Sequence, residues 1–190
     1  MSNLTDFFPS GGGGGLTPKF EEFNASGTFT PTQALIDAGG YIEIFLVGGG
    51  ASTGDGRAGG GGGEVFQKKM YLTNTNSIAV TIGAGAGNAI GGSTTFLGSS
   101  AGGQDLTATG GSNGGVQSNQ LGAGFGSGQD TQNEAVVAAG SGVMGYGVGG
   151  STNSDIPNRG GVATAKANSG QGSKSGGTGG SGYCLIKWYE

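Results

Sequence analysis

The chain has 190 residues, of which 49 are glycine and 4 are proline, with a formal charge of −4 and no histidine. The acidic balance argues against nucleic acid as a partner, because phosphate binding needs a basic face. Without histidine, neither a Ser-His-Asp or Cys-His catalytic arrangement nor a histidine metal site can be built, and one cysteine, Cys184, allows no intrachain disulfide or thiolate zinc site.

Glycine at this level, with no strict Gly-X-Y period, commonly marks low-complexity chain. Here the apolar residues instead gather into short β-rich blocks separated by glycine tracts. Glycine loses roughly 0.5–1 kcal/mol more backbone freedom than alanine on folding. Burial between subunits is expected to offset that cost, so an oligomer is expected. No apolar run approaches the ~20 residues of a membrane-spanning helix. The N-terminus lacks the charged and apolar regions of a signal peptide, so synthesis in a cytoplasm without membrane insertion is expected.

Residues 1–19 read as an arm. Leu4, Phe7 and Phe8 form an apolar hook, Pro9 stops any helix, and five glycines make a tether. The functional reading is a docking peptide for a neighbouring protein; the plain alternative is a terminus with no role. Residues 20–190 read as one glycine-rich β domain. Phe20 to Asn24 and Gly27 to Thr30 are short, aromatic, threonine-containing strands, the second closed by Pro31. Tyr41 to Val47 is almost wholly apolar and suits a central strand buried on both faces. Glu64 to Leu72 and Ser77 to Ile82 follow, joined by a turn at Asn74-Thr75-Asn76. Thr94 to Leu97 is another short strand.

In residues 98–182 large apolar residues become rare, and no repeat of fixed period is evident. This region reads as an insertion. It forms either long, ordered glycine loops with short strands or close-packed parallel helices of the polyproline-II type, where only glycine fits the contacts. The chain closes with the aromatic strand Tyr183 to Tyr189. A strand of that strength is hard to leave exposed and is expected to pair with an early one, such as 41–47. The fold class is therefore all-β: a compact antiparallel β-sandwich or jelly-roll-like core with long glycine-rich loops or polyproline-II-type helices, oligomeric.

The order of blocks resembles the glycine-rich domain of bacteriophage tail-fibre and adhesin proteins. The matching pieces are Phe23 to Pro31, the apolar strand running into Gly48-Gly49-Gly50, and Gly59 to Gly63 with Glu64. Ile78 to Gly85, Gly91 to Phe96, and Gly179 to Tyr183 complete the set. The resemblance implies a virion protein, a tail-fibre or tail-tip component that contacts a host-surface glycan or outer-membrane protein. It implies no catalytic residue and no cofactor. Such domains often end a much longer fibre polypeptide, whereas here the domain is nearly the whole chain. Attachment to other virion proteins through the arm, at Leu4, Phe7, Phe8 and Pro9, is then expected. A trimer is the guess that fibres in general suggest. Phe125 and Tyr146, the only aromatics between residues 98 and 182, are the receptor-contact candidates; the plain alternative is that each fills a small local core.

Motifs that could carry chemistry are weak. Gly54 to Gly59 fits G-x-G-x-x-G, which a quarter-glycine chain yields by chance. Gly98 to Gly102 and Gly110 to Gly114 fit G-x-S-x-G, which is idle without histidine. Lys174-Ser175 resembles the end of a P-loop, but Ser173 stands where glycine is required. Asp55, Asp105, Asp130, Glu134 and Asp155 are isolated, with no calcium-loop pattern. Cys184, inside an apolar strand, reads as a small buried hydrophobe. No enzyme is expected. The alternatives are a capsid decoration or head-fibre protein without a receptor and, more distantly, a free ice-binding or surface-coating protein.

Overall fold

The computed structural model describes residues 15–52, 60–112, 165–173 and 177–190. In chain order the strands are β1 (Pro18–Phe23), β2 (Gly27–Phe29), β3 (Tyr41–Val47), β4 (Val65–Tyr71), β5 (Ile78–Thr81), β6 (Thr94–Leu97), β7 (Asp105–Ala108) and β8 (Tyr183–Tyr189). They form two antiparallel four-stranded sheets, ordered β1-β8-β3-β4 and β2-β5-β6-β7. Helix is almost absent from the described residues, and the protein is all-β.

The terminal strand pairs with the early one, as its apolar sequence requires. Val47 faces Tyr183 and Ile42 faces Trp188 in the β3–β8 ladder, while β1 covers the other side of β8. Side chains alternate across a strand, so Ile42, Ile44 and Leu46 of β3 share one face with Cys184, Ile186 and Trp188 of β8. All six are buried. They join Phe29, Ile78, Val80, Phe96 and Leu106 of the second sheet in a single apolar cluster. The Phe29 and Trp188 rings meet edge to face, with centroids 5.4 Å apart. Burying each large aliphatic side chain contributes roughly 1.5–3 kcal/mol.

The opposite face of β3 departs from the expectation of burial on both sides. Tyr41, Glu43 and Phe45 are only half-buried, because that face looks outward and only its Val47 end is covered. Three further elements were not legible as blocks. A short helix, α1 (Gln33–Asp37), is capped by Thr32, whose hydroxyl accepts from the Leu35 N–H at 3.0 Å. A 3-10 turn spans Gly98–Ala101. Strand β7 lies inside the glycine-rich stretch and pairs with β6. The turn at Asn74 is an Asx turn, the Asn76 N–H donating to Asn74 Oδ1 at 2.9 Å.

Beyond the sheets, six strands continue into glycine runs: 48–52 after β3, 60–64 before β4, 83–86 after β5, 89–92 before β6, 109–112 after β7 and 177–182 before β8. A seventh run is 170–173. These runs make no sheet ladder, yet their backbones are hydrogen-bonded to one another. Gly48 donates to Glu64 and Ala51 to Gly61; Gly49 donates to Gly92 and Ser52 to Ala89. Gly60 and Gly63 donate to Ser173 and Gly170, Gly61 and Glu64 to Ser112 and Thr109, and Gly179 and Gly182 to Ala86 and Gly83. In each pair the donors are three residues apart and the acceptors three apart in the opposite direction. Every such pair of runs is therefore antiparallel, with a repeat of three residues. Three residues per turn is the repeat of polyproline II.

Run 48–52 sits in the middle. Its N–H groups reach 60–64, 89–92 and 177–182, and its carbonyls accept from Ala86, Gly111 and Ser173. It thus bonds to all six other runs. A Cβ on Gly48, Gly49 or Gly50 would lie 2.0–2.2 Å from the carbonyl oxygens of Thr109, Ala84 and Gln171 respectively. Only glycine permits that approach. Much of this close glycine packing comes from 48–52, 60–64 and 83–92, outside the 98–182 stretch, and its paired runs are antiparallel.

Candidate functional site: the far end of the glycine network

The hydrogen-bond register fixes which residues lie near the sheets and which lie far from them. The partners Gly48–Glu64, Glu64–Thr109 and Gly83–Gly182 are the residues next to their strands. Ser52–Ala89, Gly60–Ser173, Gly61–Ser112 and Ala86–Gly179 are the residues most distant from them.

Among the described residues, Ser52, Gly60, Ala86, Ala89, Ser112, Ser173 and Gly179 therefore fall at one end. The fully described connection at this end is the turn 86–90. There Gly87 bridges Thr178, Asn88 adopts φ 56°, a conformation asparagine tolerates, and Ile90 is 64% exposed. This exposed isoleucine, beside Asn88, Ala89 and glycine, makes a small apolar point at this end.

The opposite part of the molecule offers a second surface, the outward face of the first sheet. A groove of about 190 Å³ there is lined by Glu43, Phe45, Gln67, Tyr183, Leu185 and Lys187. Lys69 Nζ lies 2.9 Å from Glu43 Oε1, and the Tyr41 hydroxyl donates to the same oxygen at 3.1 Å. The Lys69 hydrogen bond, then that from Tyr41, holds the Glu43 carboxyl below its ordinary pKa. This polar set is internally paired and presents no nucleophile.

The sequence-derived sites are not brought together. Leu4, Phe7, Phe8 and Pro9, and the receptor candidates Phe125 and Tyr146, lie outside the described residues. So do the G-x-G-x-x-G stretch from Gly54 and the Lys174-Ser175 pair. Ser100, the serine of one G-x-S-x-G match, donates to the Ser77 and Leu97 carbonyls at the 3-10 turn. The Ser99 N–H caps Asp105 at 2.9 Å and lowers its pKa, so that acid has a structural partner. Cys184 is fully buried, and burial, with Glu21 adding to it, pushes its thiol up to about 12. That environment is the reverse of one that activates a thiolate. Among the described residues, no three of His, Cys, Asp and Glu cluster as metal ligands, and no helix is long and apolar enough to cross a membrane.

Compared with family models and with curated proteins, the chain matches none.

Proposed function

We propose that this chain is a non-catalytic structural and recognition protein of a bacteriophage particle. It is a tail-fibre or tail-tip component whose glycine network displays the far-end connections to a host-surface glycan or outer-membrane protein. We read the two sheets as the layers of a β-sandwich and the glycine runs as polyproline-II-type helices, with the protein working as a homo-oligomer. Residues 1–19 are assigned on sequence alone to attachment to other virion proteins.

The observation that carries this reading is the gathering of the turn 86–90 and the run ends Ser52, Ser112 and Ser173 at one end of a backbone-bonded network. A central run bonded to six others holds the turn 86–90 together with Ser52, Ser112 and Ser173. Recognition generally lies on connections positioned by a rigid scaffold. The glycine packing supplies such a scaffold from backbone alone, leaving side chains to the tip. The order of sequence blocks resembling phage adhesins gives the biological setting.

The test is adsorption. Recombinant protein added to host cells should compete with the phage, and Ile90→Glu should weaken the competition while leaving thermal stability unchanged. Detection of the protein in purified particles is the companion measurement. Its absence from particles removes the virion reading. Its presence without competition moves the protein to a decoration role.

A further inference from the structure

The first sheet ends on β1, and among the described residues nothing pairs with its outer edge. The register fixes which backbone groups face outward. Thr17 exchanges both backbone hydrogen bonds with Glu190, donating at 2.7 Å and accepting at 3.1 Å. In an antiparallel ladder, residues alternate between facing one neighbour and facing the other. Lys19, Glu21 and Phe23 therefore turn their backbone groups to β8, and Pro18, Phe20 and Glu22 turn theirs outward. Phe20 is in mid-strand, yet its side chain is 70% exposed.

We propose that β1 is a self-association edge, pairing antiparallel with β1 of a second copy about a twofold axis at Phe20. The two first sheets then join into one of eight strands. In this register Phe20 opposes Phe20 of the partner subunit. The two exchange both backbone bonds, and their rings meet on the outer face. Glu22 opposes Pro18 of the partner subunit and donates to its carbonyl; the missing proline N–H removes one bond per copy. Lys19 opposes Glu21 of the partner subunit, and by symmetry the reverse. These two ion pairs fall in the non-hydrogen-bonded positions, where Cα atoms are about 4.5 Å apart and side chains meet most closely.

Charge selects this register over its neighbours. A twofold axis at Lys19, Glu21 or Glu22 sets a like charge against itself, which destabilises directly opposed pairs. An axis at Pro18 faces two residues that have no N–H. Only Phe20 at the centre gives opposite charges and an aromatic pair together. Lys19 also lies 3.7 Å from Glu190, but its side chain is 44% exposed and can serve both acids. Glu21 is partly desolvated, which raises its pKa, so a cation beside it relieves an existing cost. Proline and lysine also serve to blunt sheet edges. The outer strand on the other side of the sheet, β4, carries two adjacent exposed lysines, Lys68 and Lys69, and no aromatic in mid-strand. The two edges are thus built differently.

Such an interface is isologous and gives a dimer, in place of the trimer suggested by fibres in general. It stands independently of where the particle displays the protein.

Sedimentation of the full chain at increasing concentration should give a twofold mass. Phe20→Pro removes the outward N–H while sparing the bonds to β8. It should return the chain to monomer with an unchanged circular dichroism spectrum. Lys19→Glu and Glu21→Lys should each weaken dimerisation by about tenfold, and the double swap K19E/E21K should restore it. A monomer at all concentrations, a trimer, or a mass that Phe20→Pro leaves unchanged overturns the proposal. None of these results touches the adsorption test.

Discussion

The hydroxyl of Thr94, in β6, donates to the carbonyl of Val47, the last residue of β3, at 2.6 Å. It ties the second sheet to the first at the point where β3 stops being a strand and becomes a glycine run. The same oxygen accepts from the Gly83 N–H at 3.0 Å, where β5 gives way to its own run. Thr94 is fully buried. One side chain therefore gives the Gly83 N–H its acceptor and adds a second donor to the last carbonyl of β3, at the junction of both sheets with the network. Thr94→Val keeps the shape and leaves the Gly83 N–H without this acceptor. A buried unsatisfied group costs about 1–3 kcal/mol, so denaturant titration should show a loss of that order or somewhat more. Thr94→Ser should recover most of it.

Gly50 and Gly87 make opposite predictions from the same substitution. A methyl at Gly50 would meet the Gln171 carbonyl oxygen at 2.0 Å and its carbon at 2.4 Å, in the centre of the network. Neither is a side chain that can move aside. Overpacking ordinarily costs about 1–3 kcal/mol, and a backbone clash among six neighbours belongs at or above the top of that range. Gly50→Ala should therefore give insoluble or molten protein. Gly87 has the Thr178 hydroxyl at 3.5 Å as its nearest neighbour and no positive φ. Gly87→Ala should be neutral, or stabilising by about 0.4–1 kcal/mol through the unfolded chain. Thermal melting of the two variants checks the contrast.

The strands were legible because their residues carry their own signal. Isoleucine alternation in 78–82 and the aromatic block 183–189 specify strands, and an apolar strand cannot remain unpaired. The glycine network was not legible in the same way. Its information lies in the absence of a Cβ, so Gly48 reads the same whether it meets the Thr109 backbone or open water. The three-residue register appears only once partners are known. Strand β7 was hidden because Leu106 and Ala108 are its only buried apolar residues. The helix α1 had one local cue, Thr32 three residues before Leu35, in a stretch too short to show a helical period. At the tip, Ile90 gave no signal beyond one apolar residue among glycines. Its exposure follows from the register of Ser52 with Ala89, which joins residues distant in sequence.

Acid should loosen the joint between the terminal strand and α1. The Glu190 side chain accepts from the Thr32 hydroxyl and from Trp188 Nε1, the latter at 3.1 Å. The Thr32 bond, then the Trp188 bond, lowers its pKa below the ordinary 4.5. Because the folded value lies below the unfolded one, this contribution is fully present above the unfolded pKa. It is lost as pH falls through the folded value. Glu43, lowered by Lys69 and Tyr41, acts in the same direction. Glu21, raised by burial, acts in the opposite one. Melting temperature should therefore drop on the acid side of about pH 4.5. Glu190→Gln should reduce that drop while lowering stability at neutral pH, and Glu21→Gln should raise stability at neutral pH. An acid limb unchanged by Glu190→Gln would remove the residue from this role.

Cys184 offers a reporter for the clamp formed by β8. It sits between Phe23 of β1 and Leu46 of β3 in the ladders, fully buried, with its thiol pushed up to about 12 by desolvation. A thiol reacts through its thiolate, so at neutral pH the native protein should resist an aromatic disulfide reagent and react fully in denaturant. The slow native reaction then measures opening of β8 away from its neighbours. Gly182 precedes the strand, and its N–H donates to Gly83 at 2.8 Å, so the glycine network and β8 share a boundary. If they open as one unit, Thr94→Val should accelerate native labelling by the factor that its loss of stability predicts. If β8 opens alone, labelling should stay at the wild-type rate in Thr94→Val while the global stability falls.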